Sequence, residues 1–362
     1  MNFECVPLTP LWTGDANTDA GKRGGQIRET GLRGSLRSWY ETLLRGCELS
    51  ACDPSGGSCI YTSDMGLASI CHACQMFGCT GYSSRVRIEV EGGSGVGDLK
   101  ELRLSNPGTS NHRGWRIPPR CNSNFRIKIV PLFAGADMPG LAIALHLIER
   151  YGALGAKTSH GQGAVRFENL PVTSAVNWQA QIAERPAKSG TNSPRLSDFI
   201  GATVRLRNMP QSLPLLKDDL RSFNTSAQAP WLPTSPLVRA ELREYLRQGV
   251  HENDRHRLMG TIGRWGDPNP DVKDGRRRDR AKGSAVHVTH TYRTPTGWET
   301  RIFAFVPDTN NVGDTAIRAL LSDRNRLAQM VRKALNINAD SPIHVDPYPV
   351  SAEELLKSLE AA

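Results

Sequence analysis

The chain has 362 residues, with 45 Lys+Arg against 36 Asp+Glu for a formal net charge of +9, and it is 38% hydrophobic and 22% charged. That apolar fraction suffices for packed cores and excludes wholesale disorder. No run approaches the roughly 18 apolar residues that a membrane span requires, and the positive balance suits a nucleic-acid partner without demanding one. Met1 to Pro7 lacks the basic start and apolar run of a signal peptide, so the expected location is cytoplasmic. The length predicts two domains, residues 1–175 and 176–362.

Residues 2–11 read as a strand, with Phe3 and Cys5 alternating against Asn2 and Glu4. A Gly/Asp/Lys-rich loop from Gly14 to Gly25 leads into a helix over 30–45. Thr30 is its candidate cap, and Leu32, Leu36, Trp39 and Leu43 form its apolar stripe. An insertion over about 46–80 follows, holding six of the eight cysteines. In a reducing compartment such a cluster reads as a metal site rather than a disulfide framework. Cys71-His72-Ala73-Cys74 supplies two thiolates at a spacing that converges on one ion. Cys47, Cys52 and Cys59 compete for the two remaining places. Four sulfur ligands leave no open position, so the expected cofactor is a structural zinc. Cys5 and Cys121 read as core residues.

Arg85 to Glu91 alternates cleanly as a half-buried strand. Residues 92–124 read as a long excursion with a hairpin, and Phe125 to Ile129 as another strand. Leu141 to Tyr151 is a helix stopped at Gly152, and Gly163 to Leu170 supplies a last strand. The order is β-α-β-β-α-β, that of ferredoxin-like and RNA-recognition modules. Residues 173–198 have a linker's composition. A second series then runs through strands at 202–207, 286–292 and 298–306. Its helices lie at 236–249 and 314–335, and a final strand is a candidate at 343–345. The fold class is therefore α+β, with two ferredoxin-like domains and a zinc-binding insertion in the first.

Three basic sets stand out. Gly152 to Gly163 carries four glycines together with Lys157, Thr158, Ser159, His160, Gly161, Gln162 and Gly163. Its exposed N–H groups, cation and hydroxyls suit a phosphodiester backbone. Arg28, Arg33, Ser35 and Arg37 cluster near a helix start, where the dipole also favours anions. A solvated helix face is the alternative. Arg276, Arg277, Arg278, Arg280 and Lys282 form a charge run before a strand, either a solvated loop or a third contact.

Four stretches together resemble one family: Thr9-Pro10-Leu11-Trp12-Thr13-Gly14, Leu32-Arg33-Gly34-Ser35-Leu36-Arg37-Ser38-Trp39-Tyr40, Cys71 to Gly78, and the Gly155 to Gly163 loop. They are similar to the RAMP proteins of CRISPR systems, closest to the Cmr-one-type subunits of type III-B effector complexes. Gly260 to Ser284 resembles the second half of that family. The resemblance implies an RNA-guided antiviral complex. In it this chain holds the 3′ part of a CRISPR RNA and aids capture of target RNA beside other CRISPR effector subunits, with no membrane partner. Base pairing would read sequence, while the protein grips backbone and shape. The resemblance also implies a non-catalytic subunit. The runner-up is a metal-independent RNA endonuclease using Asp15 and His160, with another type III RAMP backbone subunit as a further alternative.

Overall fold

A computed structural model describes residues 1–14, 26–53, 59–93, 102–104, 115–117, 121–188, 194–210, 213, 230–260 and 283–360. The first half contains β1 (Asn2–Pro7), α1 (Glu29–Gly46), α2 (His72–Phe77), β2 (Val86–Gly92), β3 (Leu102–Leu104), β4 (Trp115–Ile117), β5 (Phe125–Pro131), α3 (Met138–Tyr151) and β6 (Val165–Glu168). Its main sheet runs β2-β5-β1-β6, with every pair antiparallel. β3 and β4 pair as a separate two-stranded sheet within the expected excursion.

The strand β1 ends at Pro7 rather than continuing to residue 11. Pro7 and Pro10 have no N–H to give to a ladder, and Leu11 rejoins only through an isolated bridge to Cys121. The helix α1 starts one residue before Thr30, which is not its cap. Arg28 occupies the cap position without a side-chain bond. Its backbone N–H donates to Thr13 Oγ1 at 2.7 Å, so the strap Thr9 to Thr13 holds the helix start. Gly31 permits this approach: a Cβ there would lie 2.0 Å from Thr13 O. The helix α3 begins three residues before Leu141, because Asp137 caps it by accepting from Gly140 N at 3.1 Å and Pro139 fits its first turn. Gly152 does follow α3, but at φ −116° it is not a left-handed stop. A glycine is required there because a Cβ would stand 2.1 Å from the Trp39 ring.

The presumed linker contains α4 (Ala175–Ala183), capped by Ser174 and burying Trp178 and Ile182. Trp178 Nε1 donates to Asp137, which also accepts from Tyr40 Oη at 2.6 Å. One buried carboxylate therefore joins α1, α3 and α4.

The second half contains β7 (Phe199–Leu206), β8 (Trp231–Leu232), α5 (Ser235–Arg247), α6 (Glu252–Met259), β9 (Val286–Val288), β10 (Thr291–Thr294), β11 (Gly297–Phe305), α7 (Val312–Ser322), α8 (Arg324–Leu335), β12 (Ile343–Pro347) and α9 (Ala352–Glu360). The expected helix over 314–335 is two helices. Asp323 leaves helical geometry at ψ 100°, ends α7, and caps α8 by accepting from Asn325 N and Arg326 N. The sheet order is β12-β7-β11-β10-β8, with β9 also on β11. The expected strand over 286–292 is thus split at Thr289-His290.

Both faces of the second sheet are covered. Ile200, Ala202, Val204 and Leu206 pack into a core with α5, α7 and α8. Phe199, Phe303 and Tyr348 instead join the core of the first half, where Trp39 meets Phe199 and Phe305 at 5.6 Å. The helix α9 returns to the first half. Leu355 and Leu356 enter its core, and Tyr151 Oη bonds Ser358 Oγ at 2.6 Å. The halves are therefore stitched by a shared aromatic core rather than joined only by a tether. Among the described residues, no helix is long and apolar enough to cross a membrane.

Candidate nucleic-acid interface and metal centre

The cysteine insertion folds around four thiols. The sulfurs of Cys52, Cys59, Cys71 and Cys74 all lie within 4.8 Å of one another, and all four residues are buried. Cys52 Sγ and Cys74 Sγ are 3.5 Å apart. An ion about 2.3 Å from each of four sulfurs needs tetrahedral edges of about 3.8 Å, so the donor set fits one ion. Backbone N–H groups already point at sulfur: Cys52 N donates to Cys71 Sγ at 3.2 Å and Cys71 N to Cys59 Sγ at 3.3 Å. Such bonds offset thiolate charge. The thiols of Cys71 and Cys74 drive Cys52 well below the ordinary thiol range through their hydrogen bonds.

Of the five candidate ligands, Cys47 falls outside this group. It sits just past the end of α1, and burial pushes its thiol up to about 12, as befits a neutral core residue. Cys79 is half-buried and outside the group. His72 is turned away, bonding Ser50 Oγ at 2.8 Å and Arg185 O at 3.3 Å.

The glycine loop is stapled to the strap after β1. Gly163 N donates to Pro10 O at 3.0 Å, Ala156 N to Trp12 O at 2.6 Å, and Ala164 N to Thr9 Oγ1 at 3.0 Å. Gly155 has φ +86°, and a Cβ there would stand 2.6 Å from Trp12 O. The ammonium of Lys157 lies 4.0 Å from the Trp12 ring centroid, and the residue remains exposed. Thr158, Ser159 and His160 form a 3-10 turn and are half-buried, whereas Gly161, Gln162 and Gly163 are buried.

This turn docks on the split edge of the second sheet. His290 N donates to Gly161 O at 2.8 Å, and Thr158 Oγ1 bonds His287 Nδ1 at 2.9 Å. Ser235 N donates to His290 Nδ1 at 3.3 Å, which leaves the ring proton on Nε2. Gln162 Oε1, Ser235 Oγ and His290 Nε2 are buried with no hydrogen-bond partner among the described residues. Burial pulls His160 down to about 4, and the cations Arg239, Lys157 and Arg243 add to the effect. His287 and His290 fall to about 3, again chiefly through burial. All three imidazoles are neutral at pH 7.

Arg239 and Arg243 are functional candidates that motif reading misses. Arg239 is buried and donates to Met259 O, Val286 O and Ser284 Oγ. It thereby pins together the chain on either side of residues 261–282. Their signal is periodic: Arg239, Arg243 and Arg247 recur every four residues along α5, a basic stripe on one helix. Asp15, Arg276, Arg277, Arg278, Arg280 and Lys282 lie outside the described residues.

The α1 set differs from its expectation. Arg28 is exposed at the helix start. Arg33 donates to Phe77 O, and Arg37 to Glu41, Gly78 O and Cys74 Sγ. Ser35 Oγ accepts from Gly155 N at 2.9 Å. These three residues reach other parts of the chain, because α1 lies between the cysteine module and the glycine loop.

Residues 4–166 match the family model described as RAMP superfamily. No curated protein sequence matches the chain. Among solved structures, the chain is similar to the crystal structure of Cmr1 from Pyrococcus furiosus in its apo form, at 14% identity and TM-score 0.42, covering 95% of this chain and 97% of that one. It is also similar to a cryo-EM structure of the type III-B Cmr-beta bound to cognate target RNA, at 11% identity and TM-score 0.44, covering 91% and 99%. The family match spans the first sheet, α1, the cysteine module and the glycine loop, so it is the first half of the chain that is similar to the RAMP superfamily.

Proposed function

We propose that this chain is an RNA-binding structural subunit of a type III-B CRISPR (Cmr) effector complex in the cytoplasm. It holds the 3′ part of the CRISPR RNA and aids capture of target RNA beside other effector subunits. Its two halves serve as ferredoxin-like modules, and a zinc ion on Cys52, Cys59, Cys71 and Cys74 orders the insertion. The RAMP superfamily match over residues 4–166 supports the class, and the motif resemblance supports the subunit type.

One observation carries the RNA reading. The glycine loop of the first half docks on the second, with Gly161 against His290 and against Ser235 at the start of the arginine helix, and the charges of Arg239, Lys157 and Arg243 all act on His160. Among the described residues, the charged groups that act most on His160 are all cations. A polyanion is the ligand class that such a seam attracts. The same setting supports binding over cleavage, because an imidazole held near 4 among cations is a weak base.

The test is binding of labelled single-stranded RNA to the zinc-loaded protein over a salt series, with cleavage scored in EDTA-treated samples. The reading expects salt-sensitive binding that Lys157→Ala and Arg243→Ala weaken and His160→Ala leaves without any cut to lose. A defined cut that disappears in His160→Ala establishes the endonuclease instead.

A further inference from the structure

The residues Arg33, Ser35 and Arg37 sit in a charged motif and are half-buried, and each spends at least one polar atom on a bond to another part of the chain. Arg33 and Arg37 reach backward from α1 to the cysteine module. They bond Phe77 O, Gly78 O (3.1 Å) and Cys74 Sγ (3.4 Å), all on or beside the segment that carries two of the four sulfurs. Glu41 holds Arg37 in this pose at 2.7 Å. Ser35 reaches the other way and accepts from Gly155 N, the first glycine of the loop that docks on the second half. A continuous path of single contacts thus runs from thiol to guanidinium, along one turn of α1, through a hydroxyl, to the loop amide.

We propose that Arg33, Ser35 and Arg37 are positioning residues, a strut through which the occupied four-cysteine centre holds the glycine loop in its binding pose. Metal occupancy then tunes RNA affinity without any contact between metal and RNA. The inference rests on the zinc and RNA-binding readings above, and it adds a role opposite to direct phosphate contact. A rigid helix carries such coupling because its two ends cannot shift independently. Gly155 is where such support counts: at φ +86° a Cβ would stand 2.6 Å from Trp12 O, so glycine is required, and glycine has the most backbone freedom for a hydrogen bond to restrain.

Two readouts test it on the full chain. Amide exchange at Gly155, measured by NMR, is expected to rise about fivefold in Ser35→Ala, the effect of losing one hydrogen bond. A comparable rise is expected in wild type stripped of zinc, while Ser35→Thr restores protection. RNA binding is expected to weaken about fivefold in Ser35→Ala with its slope against log salt unchanged. Lys157→Ala should make that slope shallower by about 0.7, the value of one phosphate contact on a single strand. Two results overturn the strut: a shallower slope in Ser35→Ala or Arg37→Gln, or unchanged Gly155 exchange on zinc removal. Should wild type bind no RNA, the functional reading fails while the exchange experiment still decides the strut.

Discussion

The two sheets share an element order but treat the same strand position differently. In the first, β2 is a single seven-residue strand paired with β5 along its whole length. In the second, the corresponding strand position beside β11 is divided between β9 and β10, with Thr289-His290 between them and β8 added outside β10. Thr289 keeps the local bonding closed, donating from N to Arg301 O at 2.9 Å and accepting from Thr300 Oγ1 at 2.9 Å. The break re-aims side chains, as bulges do, and it is where His287 and His290 receive the glycine loop. A continuous strand closes a domain; a broken one makes a socket for its neighbour. The regions also differ in what orders them. The cysteine module depends on four sulfurs, whereas the socket depends on burial of neutral imidazoles.

The strongest way to break this contrast is to remove a sulfur. Cys71→Ser is expected to abolish zinc binding and to unfold the 46–80 insertion, because structural zinc contributes on the order of 10 kcal/mol to such sites. Cys47→Ser should keep one zinc per chain; metal content and thermal melting check both. Next in size is Asp137→Ala, which strips Tyr40, Trp178 and Gly140 of their shared acceptor. We expect a loss of about 3 kcal/mol in denaturant unfolding. The socket itself is probed by Gly161→Ala. A Cβ there would lie 2.5 Å from His290 Nδ1, on a backbone at φ +97°. A loss of about 2 kcal/mol is expected, with zinc retained.

Acid sharpens the contrast most gently. The three seam histidines have folded pKa values below their unfolded value near 6.5, so the unfolded chain binds more protons between those limits. Their stabilisation is complete above pH 6.5 and is lost as pH falls towards 4 and then 3. The slope is at most about 1.4 kcal/mol per pH unit for each buried imidazole. Replacing His287 and His290 by Gln should flatten stability against pH in that window; an unchanged profile places the titration elsewhere.

Much of this architecture is legible in the chain. Strict alternation at Phe3-Glu4-Cys5 and at Arg85 to Glu91 reports half-buried strands directly, and the Cys71/Cys74 spacing reports converging thiols. What stays illegible is pairing between distant residues. Nothing local separates Cys47 from Cys52 and Cys59, since only the path of the loop decides which sulfurs meet. Nothing in an Arg-Gly-Ser-Leu-Arg run shows that its polar atoms point to Phe77, Gly155 and Cys74 rather than to solvent. The helix α4 was accessible: Ser174 as cap with Ala175, Trp178 and Ile182 on one face is a helical pattern, hidden by the Pro- and Ser-rich residues after it. The break between α7 and α8 was similarly marked by Ser322-Asp323, a capping pair inside an otherwise uniform apolar stripe.

The most direct measurement is photo-crosslinking of 4-thiouridine-labelled single-stranded RNA to the zinc-loaded protein, with the crosslinked peptides identified by mass spectrometry. The account predicts adducts within residues 155–163 and on the α5 peptide carrying Arg243 and Arg247. Efficient crosslinking confined to other surfaces, with neither peptide modified, contradicts it.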